Sequence, residues 1–169
     1  MSFADCLPLI LASEGGFVDD PQDPGGATNL GITLNTLSGW LGRLASLAEV
    51  KALTPATVAP IYRADYWNAA HCGACAAGVD LMVFDEAVNQ GVGRAIRALQ
   101  AAVGVAADGA FGPATLAAVK AADPAATINA IAASREAFYR SLPTFAHFGK
   151  GWLARVARTQ AAALVMAGG

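Results

Sequence analysis

Apolar residues along this chain recur mostly at intervals of three and four, the period of an amphipathic helix, and no stretch alternates convincingly with period two. Phe3, Leu7, Ile10 and Leu11 set out a first helix that stops at Gly15-Gly16, with Glu14 in its last turn. Thr33 caps a second through Leu34, Leu37 and Leu41. Thr54-Pro55 puts a capping hydroxyl ahead of proline at the favoured first helical position, opening a helix through Ile61, Tyr62, Tyr66 and Trp67. Val79 to Gln90 is apolar on most faces and reads as a buried central helix closed by Gly91. A further helix carries Ile96, Leu99 and Val103 up to the Asp108-Gly109 turn. Pro113 and Asp123-Pro124 open two more, and Trp152 to Val165 forms the last. The fold class expected is all-α, with no repeat and no low-complexity linker.

Between the first two helices lies EGGFVDDPQDPGGATNLGIT, Glu14 to Thr33. A carboxylate at a helix C-terminus faces the negative end of the macrodipole and the last unpaired carbonyls, at a cost of about 0.3–1 kcal/mol. Stability would favour Lys or Arg there. The same field, with partial burial against neighbours such as Phe17, favours the protonated form that a general acid needs. Asp19, Asp20 and Asp23 follow, then Gly25-Gly26, whose backbone can turn sharply and return Thr28 toward Glu14. A donor acid, a second carboxylate and a hydroxyl are the set that glycosidic cleavage requires. The competing readings of the aspartates are turn-forming Asx chemistry and a loose calcium site, but the alternating ligands and late Glu of an EF-hand are missing.

Glu14-Gly15-Gly16, Asp20-Pro21, Asp23-Pro24-Gly25-Gly26, Thr28 and Gly31-Ile32-Thr33 resemble the signature of the glycoside hydrolase family 108 muramidases, lysozyme-like phage endolysins and secretion activator proteins. The resemblance continues through Ile61-Tyr62-Arg63, Tyr66-Trp67, Phe84-Asp85 and Ala87-Val88-Asn89. It ends in Asp108 to Thr115, similar to the family's C-terminal peptidoglycan-binding-type segment. Pro60 and the run His71 to Cys75 depart from the pattern without removing a motif residue. The resemblance implies a lysozyme-like, two-lobed helical domain, with a catalytic lobe over 1–92 and a helical C-terminal lobe over 93–169 packed as one unit. It implies that Glu14 is the acid cleaving between N-acetylmuramic acid and N-acetylglucosamine. Phage-type lysozymes pair such a Glu with an Asp about nine and a Thr about fifteen residues later, a pattern to which Asp23 and Thr28 fall closest, with Asp20 as competitor. The rival classes are a non-catalytic peptidoglycan-binding or secretion-assisting protein and a lytic transglycosylase.

Tyr66, Trp67 and Asn89 are the candidate substrate-binding residues, although aromatics at helical spacing are more often core. Asp85 and Asn89 lie four apart on one helix face, which permits a buried polar network or contacts to sugar amides. Asp108 to Thr115 reads foremost as a turn with Phe111 as a plug between helices.

Composition narrows the partners. The 169 residues suffice for a real core, and a net charge of −2 with pI near 5.6 gives no general basic face, so nucleic acid is not an expected partner. The 55% hydrophobic content is driven by alanine, and charges interrupt the long apolar stretches, so no integral membrane segment is expected. The start has no basic region ahead of its apolar run and reads as a helix rather than a signal peptide. The expected setting is the periplasm or cell wall, reached from the cytoplasm by another route such as a holin pore. Cys72 and Cys75 beside His71 invite a zinc reading, but the only other histidine is His147 and four ligands are needed. No metal, no cofactor and no disulfide scaffold are expected, and the chain is expected to be a monomer whose partner is bacterial peptidoglycan.

Overall fold

The computed structural model describes residues 2–19 and 26–168; among them are nine α-helices, one π-helical segment, one 3-10 turn and a single two-stranded hairpin. The fold is all-α. It divides into two compact units, one spanning Leu7–Asp65, the other formed by the described residues up to Cys6 together with those from Tyr66 onward.

Helix α1 (Phe3–Leu11), which enters the Leu7–Asp65 unit at Leu7, ends earlier than its sequence suggests. The Ala12 amide still reaches back four residues to Pro8, but Ser13 and Glu14 bond the carbonyls of Ile10 and Leu11, three residues back, at 2.9 and 3.2 Å. The chain thus tightens and leaves the helix, and Glu14 lies three residues beyond its end rather than in its last turn. The cause lies downstream: the Gly15 carbonyl is taken by the Leu30 amide at 3.1 Å, a sheet-type bond incompatible with continued helix. Strands β1 (Thr28–Asn29) and β2 (Ile32–Thr33) pair antiparallel, Thr28 opposite Thr33 and Asn29 opposite Ile32. Two-residue strands are too short for alternation to show.

Thr33 then caps α2 (Leu34–Leu41) by accepting from the Thr36 amide, and Gly42 closes that helix in the left-handed conformation. A short α3 (Leu47–Lys51), not anticipated from periodicity, is built on a capping box between Ser46 and Glu49. Thr54 caps α4 (Pro55–Tyr62) with Pro55 at its first turn, as the sequence suggests. The expected continuation through Tyr66 and Trp67 is π-helical instead, over Arg63–Asn68. Ile10, Ile32, Leu37, Val50, Val58 and Ile61 are buried and form this unit's core.

The other unit is organised by α5 (Val79–Gln90), whose residues Val79 to Ala87 are all buried. It packs against α6 (Val92–Ala102), α8 (Pro124–Ser141) and α9 (Phe145–Gly168), and α8 runs along α9; α7 (Pro113–Ala121) follows the Asp108 turn. Helix α9 starts seven residues before Trp152, because Thr144 accepts from the amides of His147 and Phe148, while Gly149 and Gly151 obscure the apolar period. Asp85 is 1% exposed and lies between two guanidiniums: Arg135 Nη2 is 2.7 Å from Oδ2, and Arg155 Nε is 3.0 Å from Oδ1. Trp67 packs edge-on against Phe3 and Phe84 with centroids 5.7 and 5.3 Å away.

Asp108 to Thr115 is held as a structural turn. The Gln100 amide nitrogen donates to Asp108 at 2.8 Å and Thr115 at 3.1 Å, its oxygen accepts from the Gly109 amide, and Phe111 stacks on His71 at 4.4 Å. Cys6, Cys72 and Cys75 are unpaired thiols, and burial pushes all three up, Cys6 and Cys75 to about 12. Among the described residues no group of three His, Cys, Asp or Glu side chains is placed to hold a metal ion. No described helix is long and apolar enough to cross a membrane.

Candidate active site

The hairpin places Glu14. Its turn, Leu30-Gly31, has φ of 49° and 74° at the two central residues, the combination of a type I′ turn. Such a turn matches the twist of the flanking strands but normally takes Asn or Gly at its first position, so a leucine there stores strain on the order of 1 kcal/mol. Three contacts from surrounding elements hold it. The Leu30 amide donates to Gly15, and the Leu30 carbonyl accepts from the Tyr62 hydroxyl at 2.9 Å. The buried Asn29 side chain donates to the carbonyls of Val50 and Lys51 at 3.0 and 3.2 Å, capping the end of α3.

Gly31 explains how closely the acid approaches. A Cβ at this position would collide with the Tyr62 hydroxyl and stand 2.9 Å from Glu14 Oε2 and 3.2 Å from its Cγ. The Glu14 carboxylate and the Tyr62 phenol therefore converge on the bare face of one glycine, and both the dihedral and the space demand that residue.

Thr28 belongs to the same construction. Its amide and carbonyl are both bonded to Val18 at 2.8 Å, four residues after Glu14, and its hydroxyl donates to the Ile32 carbonyl at 3.3 Å. With its one proton directed there, Thr28 Oγ1 offers a lone pair to anything that approaches it. Thr28 is thus carried by the hairpin against whose turn Glu14 packs. Asp20 and Asp23 lie outside the described residues. Tyr66 is half-buried within the π-helix, and Trp67, 6% exposed, is committed to the ring cluster of the other unit. Asn89 accepts a hydrogen bond from Tyr139. Of its two readings, Asp85 takes that of a buried ionic network.

The sequence places Tyr62 on a helix and Gly31 in the motif but assigns no role at the site to either, nor to Asn29 or the Leu30-Gly31 turn. Asn29 and Gly31 around a two-residue step were a readable hairpin signal. Tyr62 carried only a general one: a buried phenol needs a hydrogen-bond partner, and nothing in the sequence says that it is Leu30.

The Glycosyl hydrolase 108 family profile matches residues 7–91, half of the chain and the whole of the Glu14 hairpin. The chain belongs to that family. A second profile, described as a predicted peptidoglycan domain, matches residues 94–157 of this family member, from α6 into α9. Among solved structures, SagA of Brucella abortus is 48% identical with a TM-score of 0.86, over 98% of this chain and 95% of that one. No curated protein matches. This glycosyl hydrolase 108 family member is a peptidoglycan-associated, lysozyme-like protein.

Proposed function

We propose that the protein is an N-acetylmuramidase that cleaves the glycan strand of peptidoglycan between N-acetylmuramic acid and N-acetylglucosamine. The observation that carries this is the Glu14 carboxylate seated against Gly31 and Tyr62 on a turn held in a strained conformation. Backbone strain held in place by surrounding contacts clusters at functional sites, and the strained Leu30-Gly31 turn is the one that Glu14 packs against. Glu14 protonates the leaving glycosidic oxygen as the bond to the anomeric carbon breaks. Asp23, or Asp20 in its place, supplies the second carboxylate, which takes the proton of the attacking water or stabilises the cationic sugar, and Thr28 accepts a hydrogen bond from that water and so orients its lone pair. Carboxylate separation decides between inversion and retention. The protein works as a monomer, in the periplasm or cell wall after release from the cytoplasm.

The second reading is a secretion-assisting protein, favoured by the similarity to SagA. The two are compatible where local wall cleavage opens a passage for cargo. Mass spectrometry of soluble fragments, after purified Gram-negative peptidoglycan is incubated with wild type and with Glu14→Gln, separates the mechanisms. Reducing muramic acid ends from the wild type alone establish the hydrolase. Anhydromuramic ends assign a lytic transglycosylase, and an absence of fragments from both proteins leaves a binding role.

A further inference from the structure

The unit built around α5 holds a pocket of about 390 Å³ that is distant in sequence from the Glu14 hairpin. Its floor is aromatic. Tyr139 and Trp152 stack at 5.0 Å and 23°, and Phe138 completes an apolar wall. The rest of the lining is polar: Asn89 and Gln90 from the end of α5, and Arg94 from the first turn of α6.

Each polar group is prepared in a definite way. Gln90 buries both its amide oxygen and its amide nitrogen, and neither has a hydrogen-bond partner among the described residues. Leaving such groups unmade is costly, so a ligand toward which the Gln90 side chain turns, and which satisfies them, recovers that penalty. The Arg94 guanidinium lies 3.8 Å over the centroid of the Phe138 ring and lines both this pocket and the smaller one that holds Glu86. Asn89 accepts from the Tyr139 hydroxyl through its oxygen, so its NH₂ faces away from that bond. Donors outnumber acceptors: an arginine fork and two amide nitrogens against one amide oxygen. The complementary ligand carries several acceptor oxygens, one N–H and an apolar face.

We propose that this pocket binds a peptidoglycan fragment bearing a secondary amide beside a carboxylate, the amide pairing with Gln90, the carboxylate with Arg94, and the apolar face lying on Trp152. N-acetylmuramic acid has that chemistry in its acetamido and lactyl groups, and the stem dipeptide L-Ala-γ-D-Glu has it in its peptide bond and carboxylates. N-acetylglucosamine has the amide but lacks the carboxylate. The volume accommodates a group of monosaccharide or dipeptide size. The proposal shares with the muramidase reading the premise that peptidoglycan is the partner, and it assigns the α6–α9 region a specific contact rather than general adhesion.

The test titrates full-length Glu14→Gln with N-acetylmuramic acid, with L-Ala-γ-D-Glu and with N-acetylglucosamine, by calorimetry and by the Trp152 indole signal in NMR, assigned with Trp152→Phe. One of the first two probes should saturate and shift that signal, and which one does so identifies the source of the carboxylate. N-acetylglucosamine should bind at least tenfold more weakly. Gln90→Leu and Arg94→Gln should each weaken binding at least tenfold, and Gln90→Leu should unfold at a temperature no lower than its parent, because it removes an unsatisfied amide. The proposal is overturned by an absence of saturable binding of both carboxylate probes, by equal binding of N-acetylglucosamine, or by binding that survives both substitutions. Fragment release by the wild type with no saturable binding removes this pocket and leaves the muramidase; saturable binding without fragment release does the reverse.

Discussion

The phenol of Tyr62 donates to the carbonyl of Leu30 at 2.9 Å, across 32 residues of chain, and so joins the end of α4 to the turn that carries Gly31 and faces Glu14. The bond holds the turn in a conformation that its leucine disfavours. Tyr62→Phe leaves the half-buried Leu30 carbonyl without that donor and should lower stability by about 1 kcal/mol. It should also lower kcat by about tenfold with little change in KM, because the acid loses position while the sugar contacts remain. Thermal unfolding and a turbidity assay on sacculi check the two effects separately.

Gly31→Ala tests the same geometry from the other side. At φ of 74° an alanine is strained, and its methyl group would displace both the Tyr62 hydroxyl and the Glu14 carboxylate. Misplacing a catalytic group by an ångström costs about a hundredfold in rate. The expected variant remains folded by circular dichroism and releases muropeptides about a hundredfold more slowly. Wild-type release would mean that the acid does not depend on this turn.

Asp85→Asn should be the most damaging single-atom exchange in the α5 unit. It leaves Arg135, whose side chain is 0% exposed, and Arg155, at 12%, without their shared carboxylate. Breaking a buried pair in this way costs about 3–5 kcal/mol. Denaturant titration should show the midpoint falling by that equivalent with an unchanged slope.

Glu86 makes stability depend on pH. It is 2% exposed, and burial pushes its carboxyl up to about 7, with Arg135 and Arg94 pulling it down and Asp85 adding to the rise; Arg97 lines the same small pocket. The unfolded chain releases this proton near 4.5, whereas the folded one keeps it to about 7. Between those values the native state binds more protons, so stability falls as pH rises, by about 3 kcal/mol in all, and levels off above pH 7. Glu86→Gln should flatten that slope and exceed wild type in melting temperature at pH 8.

Much of the scaffold was legible because its signals are local. Thr33, Thr54 and Asp123 each cap the helix that their position announces, and Val79 to Gln90 forms the buried helix that its apolar faces require. Glu14 stood out for a comparable reason, a carboxylate among glycines where a helix gives out. What escaped depends on partners far along the chain. The end of α1 is set by Leu30 bonding Gly15, and the role of Tyr62 by a carbonyl that only folding delivers. The π-helix at Arg63–Asn68 follows Pro60, whose missing amide removes one bond from the α-ladder, but the sequence gives no sign of how far the loosening extends. Trp67 was open to either role by spacing alone, and its burial against Phe3 and Phe84 is a tertiary outcome.

The three free thiols, two buried and one half-buried, bear on the redox settings in which this fold holds. With Cys6 and Cys72 inaccessible and all three cysteines disfavouring the thiolate, neither exchange with glutathione nor oxidation has a ready nucleophile to start from. No cross-link contributes to the fold. The native state therefore asks nothing of its redox surroundings to hold together: packing and buried ion pairs stand in place of disulfides.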